Sequence, residues 1–415
     1  MKRLIFIASL AMLAVGCQKT EIQNEVLTPI GFSTEVGKQT RAIVQDTEYK
    51  TDQPFAVYAY GHQGNAAATT VMDNVEVGYT DATIGENPTP AKWSATGDIK
   101  YYWPNDPNTK LDFYAYSPAA VTSPTAEKNH QKILTGTVSL TEKENDNDND
   151  TDYGLKLTDY VHNNAYVDFM VAAPILEACY SDQDGTTGNE TGLTSVPMAF
   201  GHKMTQVNFT VKIKDGESYP NVNFAINSIT LNNIKCGADY SYLFETDNDD
   251  DTKAWTTTSQ LASYRVYPAT TLTNIGTDAD PVNNMNDAPS LINADSETTE
   301  VAVVLETDAG TSVTKANPGR SFITTPVTMI PQDFDQSNPQ SFTIVYTISG
   351  TGVATETVTK TFKFAEAATS APAWGVNQKI TYTLTISLNE ITFAPSVVAW
   401  GTAMGDYLDS APTNN

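Results

Sequence analysis

The chain has 415 residues, with 49 Asp and Glu against 24 Lys and Arg, a net charge of −25. So acidic a surface repels DNA, RNA and anionic headgroups and excludes a nucleic-acid partner. Charged residues make up only 18%, alongside 20 Tyr and many Thr, a composition suited to pleated, half-buried sheet.

The chain opens Met1-Lys2-Arg3, continues with an apolar run from Leu4 to Val15, and reaches Gly16-Cys17. A basic start and a run too short to span a bilayer predict a secretory signal over 1–16. The small residue before Cys17 resembles the bacterial lipobox, in which that cysteine is acylated and becomes the mature N-terminus. Ala14 stands where leucine is commonest. A polar tether, Gln18–Glu25, leads to the first alternating segment. Ile30, Phe32, Thr34 and Val36 fall on one face of an extended strand, with Gly31, Ser33 and Glu35 on the other. The stretch ends Gly37-Lys38-Gln39-Thr40-Arg41-Ala42. The chain has four arginines (Arg3, Arg41, Arg265 and Arg320), and only Arg41 directly follows the first mature strand.

Further strands are predicted at Phe55–Tyr60, Leu111–Tyr116, Tyr166–Ala172, Gln206–Ile213, Phe224–Leu231, Val301–Leu305, Phe342–Ile348, Thr359–Phe364, Ile380–Leu388 and Ile391–Phe393. Gly, Pro, Asn and Asp punctuate them, and no helix longer than a turn or two carries capping signals. Many short strands with turn punctuation predict an all-β fold of sandwich type. The Gly/Thr/Ser-rich stretch Thr186–Val196 marks a boundary, giving units at 42–195 and 196–390 with a tail at 391–415. Ala269–Thr298 is poor in strand pattern and reads as a surface insertion. Pro395 is expected to interrupt the C-terminal alternation between Ile391, Phe393 and the later pair Val397 and Ala399.

No residue pattern argues for catalysis or a cofactor. Asp146-x-Asp148-x-Asp150 begins like a calcium loop, but Thr151 replaces the glycine and Leu157 the terminal glutamate; Asp247, Asp249 and Asp251 fail likewise. Both acidic runs read as solvated loop tips. His62, His130, His162 and His202 form no His-Glu-x-x-His pair, and there is no Cys-x-x-Cys, so no metal site is expected. His202, beside a strand, reads as structural. No Gly-x-Ser-x-Gly elbow occurs, and Gly350-Thr351-Gly352 lacks the third glycine of a dinucleotide loop. Cys179 and Cys236 are free thiols or a disulfide. Trp93, Tyr101-Tyr102-Trp103, Phe113-Tyr114-Ala115-Tyr116, Trp374 and Trp400 suit a sandwich core better than a glycan platform.

Tyr101-Tyr102-Trp103-Pro104, the Leu111–Pro118 segment, Asp168-Phe169-Met170-Val171-Ala172, the Val196–Met204 segment, Met329-Ile330-Pro331-Gln332, Tyr382-Thr383-Leu384 and Ile391-Thr392-Phe393 with Trp400 resemble, in this order, the fimbrillin family of Mfa-like and FimA-like pilins. The resemblance implies two tandem transthyretin-like β-sandwiches and no enzyme activity. It implies a lipoprotein precursor anchored in the outer membrane and carried to the cell surface. There an arginine-specific protease cuts between Arg41 and Ala42, discarding residues 17–41. Assembly with other pilin subunits into a type V fimbrium, as a structural subunit or as an accessory or tip adhesin, would follow by donor-strand exchange. Ile30, Phe32, Thr34 and Val36 would be displaced, and Ile391, Phe393, Val397 and Ala399 would be donated. The alternative is an uncleaved surface lipoprotein that binds glycan or a host ligand through its loops and aromatics. The mature N-terminus, Ala42 or acylated Cys17, separates the two.

Overall fold

The structure is a computed structural model and describes residues 28–36, 49, 51, 53–63, 67–84, 90–106, 108–119, 134–142, 153–162, 167–180, 192–193, 195–214, 222–244, 254–267, 290–293, 321–324, 326–334, 340–366, 373–387 and 391–400. Among these the architecture is all-β, as expected; the one helical element is a 3-10 turn at Phe364–Glu366. In chain order the first half contains β1 (Phe32–Val36), β2 (Phe55–His62), β3 (Thr69–Thr80), β4 (Lys92–Ala95), β5 (Lys110–Ser117), β6 (Thr137–Thr141), β7 (Gly154–Val161), β8 (Met170–Ala172), β9 (Ile175–Tyr180), β10 (Gly192–Leu193) and β11 (Val196–His202). The second half contains β12 (Thr205–Ile213), β13 (Val222–Lys235), β14 (Gly237–Leu243), β15 (Trp255–Thr257), β16 (Leu261–Tyr267), β17 (Ser290–Asn293), β18 (Ser321–Ile323), β19 (Val327–Met329), β20 (Ser341–Gly350), β21 (Val353–Lys363), β22 (Gln378–Ile386) and β23 (Ile391–Ala399).

The largest sheet runs β10-β9-β5-β2-β3-β4-β1-β11-β8, and β8 pairs back onto β5. That pairing closes seven strands, β5-β2-β3-β4-β1-β11-β8, into a barrel, with β9 and β10 extending from β5. Closure removes the exposed edges that a sheet of this length would otherwise present. Period-2 alternation sends Phe55, Val57 and Ala59 of β2, Leu111, Phe113 and Ala115 of β5, and Val196, Met198 and Phe200 of β11 into one interior core. The other face of β2 and β5 is buried as well. Ala56, Tyr58, Tyr114 and Tyr116 pack with Leu155, Leu157, Tyr160, Tyr240 and Trp255 of a four-stranded sheet, β15-β14-β7-β6. Burial on both faces explains why these two strands are nearly continuous in apolar residues rather than alternating.

The second unit is a sandwich of two five-stranded sheets. One runs β18-β12-β22-β23 with β19 also on β12; the other runs β16-β13-β20-β21 with β17 also on β13. Phe209, Phe224, Ile226, Leu231, Phe342 and Tyr382 lie in the core between them. The parallel pair β12–β22 holds register from Thr205↔Gln378 to Ile213↔Ile386 without a shift.

Sheet membership does not follow a cut at residue 195. Val196–His202 completes the barrel wall, and Gly237–Leu243 and Trp255–Thr257 belong to the sheet covering the barrel. Pro395 does not interrupt the last strand: β23 is continuous, with Pro395 opposite Tyr382. Among the described residues it is an edge strand with β22 as its one neighbour, so an N–H missing on the open side costs no ladder bond. Within the expected insertion, Ser290–Asn293 forms β17 against β13. Val301–Leu305 lies outside the described residues.

Candidate functional site

The candidate site is the place of β1 in the barrel wall. On one side β1 runs parallel to β11, from Phe32↔Val196 to Val36↔Phe200. On the other it meets β4 at Phe32↔Trp93. The residues just before it continue that second contact: Ile30 N–H donates to the Tyr101 carbonyl at 2.9 Å, and Trp103 N–H donates to the Thr28 carbonyl at 2.9 Å. Toward β11, the Val196 N–H donates to the Gly31 carbonyl at 2.9 Å. Backbone groups therefore alternate: Gly31, Ser33 and Glu35 face β11, while Ile30, Phe32 and Thr34 face β4 and the Tyr101–Trp103 segment.

From Ile30 to Thr34 the side chains follow the expected alternation; those of Glu35 and Val36 lie outside the described ones. Ile30 and Phe32 are buried in the barrel, Thr34 is half-buried, and Ser33 is exposed. Phe32 stands edge-on to Phe55 at 5.9 Å and to Phe113 at 6.2 Å. These T-shaped contacts suit the ring quadrupoles and fix Phe32 at the centre of the core. Further along, Tyr49 re-enters the same core. Its ring lies 4.8 Å from Phe200 and 5.4 Å from Trp93, and its hydroxyl hydrogen-bonds Ser117 Oγ. The chain is thus anchored on both sides of 37–48. Cys17, Arg41 and Ala42 lie outside the described residues.

At the other end of the chain, the four C-terminal candidates all fall on β23. Ile391 and Phe393 pack against the second core, with Phe393 5.3 Å from Phe342 and 5.2 Å from Phe362. Val397 is 39% exposed. Trp400 follows β23; its indole stacks on His202 at 4.0 Å and 7°, and its backbone N–H donates to the Asn377 carbonyl. His202 Nδ1 is tied in turn to Asp168 Oδ2 at 2.9 Å. Its role is structural, as the sequence suggests.

The other candidates disperse. Trp93, Trp103, Trp374, Trp400, Phe113, Tyr114 and Tyr116 are core residues and Tyr101 is half-buried against the barrel core, which leaves Tyr102 as the exposed ring of the group. Cys179 and Cys236 are separate buried thiols; burial pushes the Cys236 thiol up. Gly350-Thr351-Gly352 is the β20–β21 turn, where Gly352 takes a positive φ. The two acidic runs and His130 lie outside the described residues. Thr141, Gly154 and Leu243, which flank the runs, stand side by side at one end of the four-stranded sheet.

One buried polar joint has no local sequence signal. His162 Nε2–H donates to the Thr328 carbonyl at 2.7 Å, which leaves Nδ1 to accept the Tyr160 hydroxyl at 2.8 Å. The Tyr264 hydroxyl donates to the His162 carbonyl. Burial holds His162 down to about 4, only partly opposed by the hydrogen bond to Thr328, and pushes Tyr160 and Tyr264 up. Two of its partners, Thr328 and Tyr264, lie more than a hundred residues away in sequence, so spacing alone does not reveal the joint.

A family model described as fimbrillin-like matches residues 40–400. No curated protein sequence matches the chain. Among solved structures, a fimbrial protein from Bacteroides vulgatus is similar at 17% identity over 90% of this chain and 99% of that one, with a TM-score of 0.47. The tip fimbrial protein Mfa3 from Porphyromonas gingivalis is similar at 10% identity over 84% and 95%, with a TM-score of 0.26. With the family pattern spanning both the barrel and the sandwich, the chain belongs to the fimbrillin-like family.

Proposed function

We propose that this chain is a subunit of a cell-surface pilus, exported as a lipoprotein through Cys17, cut after Arg41, and polymerised by strand exchange into the place vacated by β1. Membership in the fimbrillin-like family supports the pilus-related role. The observation that carries the mechanism is the position of β1, a wall strand of a closed barrel and the first strand among the described residues. Arg41 lies five residues past Val36 (37–41) and ahead of the anchor at Tyr49. A cut there releases Cys17 and β1 together, leaves 415 − 41 = 374 residues, and keeps Tyr49 in place. The barrel would then be open between β4 and β11, with unpaired backbone groups and apolar space that are costly until filled.

The C-terminal strand suits that gap. Ile30-Gly31-Phe32-Ser33-Thr34-Glu35-Val36 and Ile391-Thr392-Phe393-Ala394-Pro395-Ser396-Val397 share the pattern Ile-x-Phe-x-x-x-Val. Laid in the same register, Pro395 takes the place of Thr34, whose N–H faces away from β11, so no bond to β11 is lost. Backbone pairing would supply affinity and the Ile and Phe side chains register, as in other strand-addition complexes. Mass spectrometry of the protein in filaments should find Ala42 as its first residue, and Arg41→Ala should leave a lipidated monomer. Filaments of normal yield from Arg41→Ala would overturn the reading.

A further inference from the structure

We propose that His62, Asp112 and Glu177 form a divalent transition-metal site, with zinc as the ion that best matches its donors. The site is built by three strands of the barrel and its extension. His62 ends β2, Asp112 lies on the neighbouring strand β5, and Glu177 lies on β9, which pairs with β5 through Leu111↔Ala178 and Phe113↔Ile175. Leu176 and Glu177 are both set against Asp112 in that interval, a bulge. Bulges re-aim side chains, and Glu177 takes a left-handed φ of 57°, a conformation that costs energy for a residue other than glycine. The bulge points the Glu177 carboxylate back at His62. Its N–H donates to Asp112 Oδ1 at 2.8 Å, which orients the second carboxylate.

The distances fit one shared ion. His62 Nε2 lies 3.1 Å from Glu177 Oε1 and 3.5 Å from Asp112 Oδ1, and all three donor atoms lie within 4.8 Å of one another. Donors on a tetrahedral zinc at roughly 2.1 Å stand roughly 3.4 Å apart. A second fact points the same way: His62 Nε2 is shut off from solvent and makes no hydrogen bond, although two carboxylate oxygens are close. A buried ring nitrogen without a hydrogen bond is costly, and a metal ion in this position would satisfy it. His62 and Asp112 side chains are 9% and 10% exposed, whereas Glu177 is 52% exposed, so an ion would have two enclosed ligands and one at the rim. Three protein ligands leave one coordination position for water or for a donor from another molecule. Lys110, directly opposite His62, is the buried cation at the edge of the site, and the two carboxylates outweigh its charge. One imidazole with two carboxylates suits zinc and its first-row neighbours rather than calcium or magnesium, which favour all-oxygen sites.

The test uses the full chain, stripped with chelator and titrated with zinc chloride at pH 7 by calorimetry, with anomalous diffraction at the zinc edge to place the ion. One zinc per chain is expected, with density among His62 Nε2, Asp112 and Glu177. Glu177→Gln, at a half-exposed position that leaves the barrel folded, should weaken binding by roughly tenfold or more. His62→Gln should abolish it while circular dichroism stays unchanged. Zinc found only on the acidic runs, binding undiminished in Glu177→Gln, or no binding at all would overturn the assignment.

Discussion

Phe32→Ala tests whether β1 is a structural member of the barrel before cleavage. Phe32 is 5% exposed and makes edge-to-face contacts with Phe55 and Phe113. Truncating a buried phenylalanine costs about 3–5 kcal/mol through lost transfer energy and the cavity left behind. The closed wall resists collapse and the two aromatic pairs add to the loss, so the upper half of that range is expected. The measurement is urea unfolding of the chain kept uncleaved by Arg41→Ala, followed by the fluorescence of Trp93 and Trp103, which share the core with Phe32. With a slope of about 2 kcal/mol per molar urea, the barrel midpoint should fall by roughly 2–2.5 M. Ser33→Ala, on the exposed face of the same strand, should change stability by no more than about 0.5 kcal/mol. A loss below about 1 kcal/mol for Phe32→Ala would refute the reasoning, because a strand that fills a core cannot lose its central ring so cheaply.

His162 predicts a pH dependence. Its folded value of about 4 lies below the ordinary 6.5, so the unfolded chain binds the proton more readily between these values; stability is full above pH 6.5 and falls by roughly 3 kcal/mol as pH drops to 4. His162→Gln should flatten that part of a stability-against-pH curve, and an unchanged slope would place the titration elsewhere. Val397→Asp, at a 39% exposed position, should leave monomer stability within about 0.5 kcal/mol yet abolish filaments, because it sets a charge at the position of Val36 in the vacated wall; normal filaments on electron micrographs would exclude β23 as the donor. Trp400→Ala removes the stack on His202 that pins the end of β23, and light scattering should show faster polymerisation of the cleaved protein despite a monomer less stable by about 3–5 kcal/mol. Slower polymerisation would mean that Trp400 serves the assembled state instead.

Local pattern carried the strands whose two faces differ or whose apolar runs are dense. Phe55–Tyr60, Leu111–Tyr116 and Gln206–Ile213 each fall inside an observed strand. Alternation at Ile30–Val36 was also readable, because one face enters a core. Thr69–Thr80, with exposed polar residues through much of its length, has no such contrast and was missed. Barrel closure was out of reach for a different reason. It depends on Tyr116↔Val171 and Ser117↔Met170, pairings between strands more than fifty residues apart that no short window contains. The same holds for His62, Asp112 and Glu177, which are unremarkable one by one and meet only through strand register and a bulge. Pro395 misled because a proline breaks a central strand but not an edge strand, and edge position is a property of the sheet.

The shared Ile-x-Phe-x-x-x-Val pattern bears on what drives the proposed assembly. If β23 fills the wall much as β1 does, exchange trades like for like, and side-chain fit alone gives little net driving force. β1 also holds a kinetic and entropic advantage while tethered, since a strand on the same chain competes at an effective concentration in the millimolar range. A free subunit at lower concentration cannot displace it. Cutting after Arg41 cancels that advantage without altering any contact in the wall: β1 becomes a separate peptide that dissociates and dilutes. The barrel's open edge is then worth filling by a strand that remains attached to a large partner. On this reasoning specificity lies in the strand register, while timing lies in the protease. On the proposed route the precursor would persist because its own strand is tethered, and would polymerise only once that tether is cut.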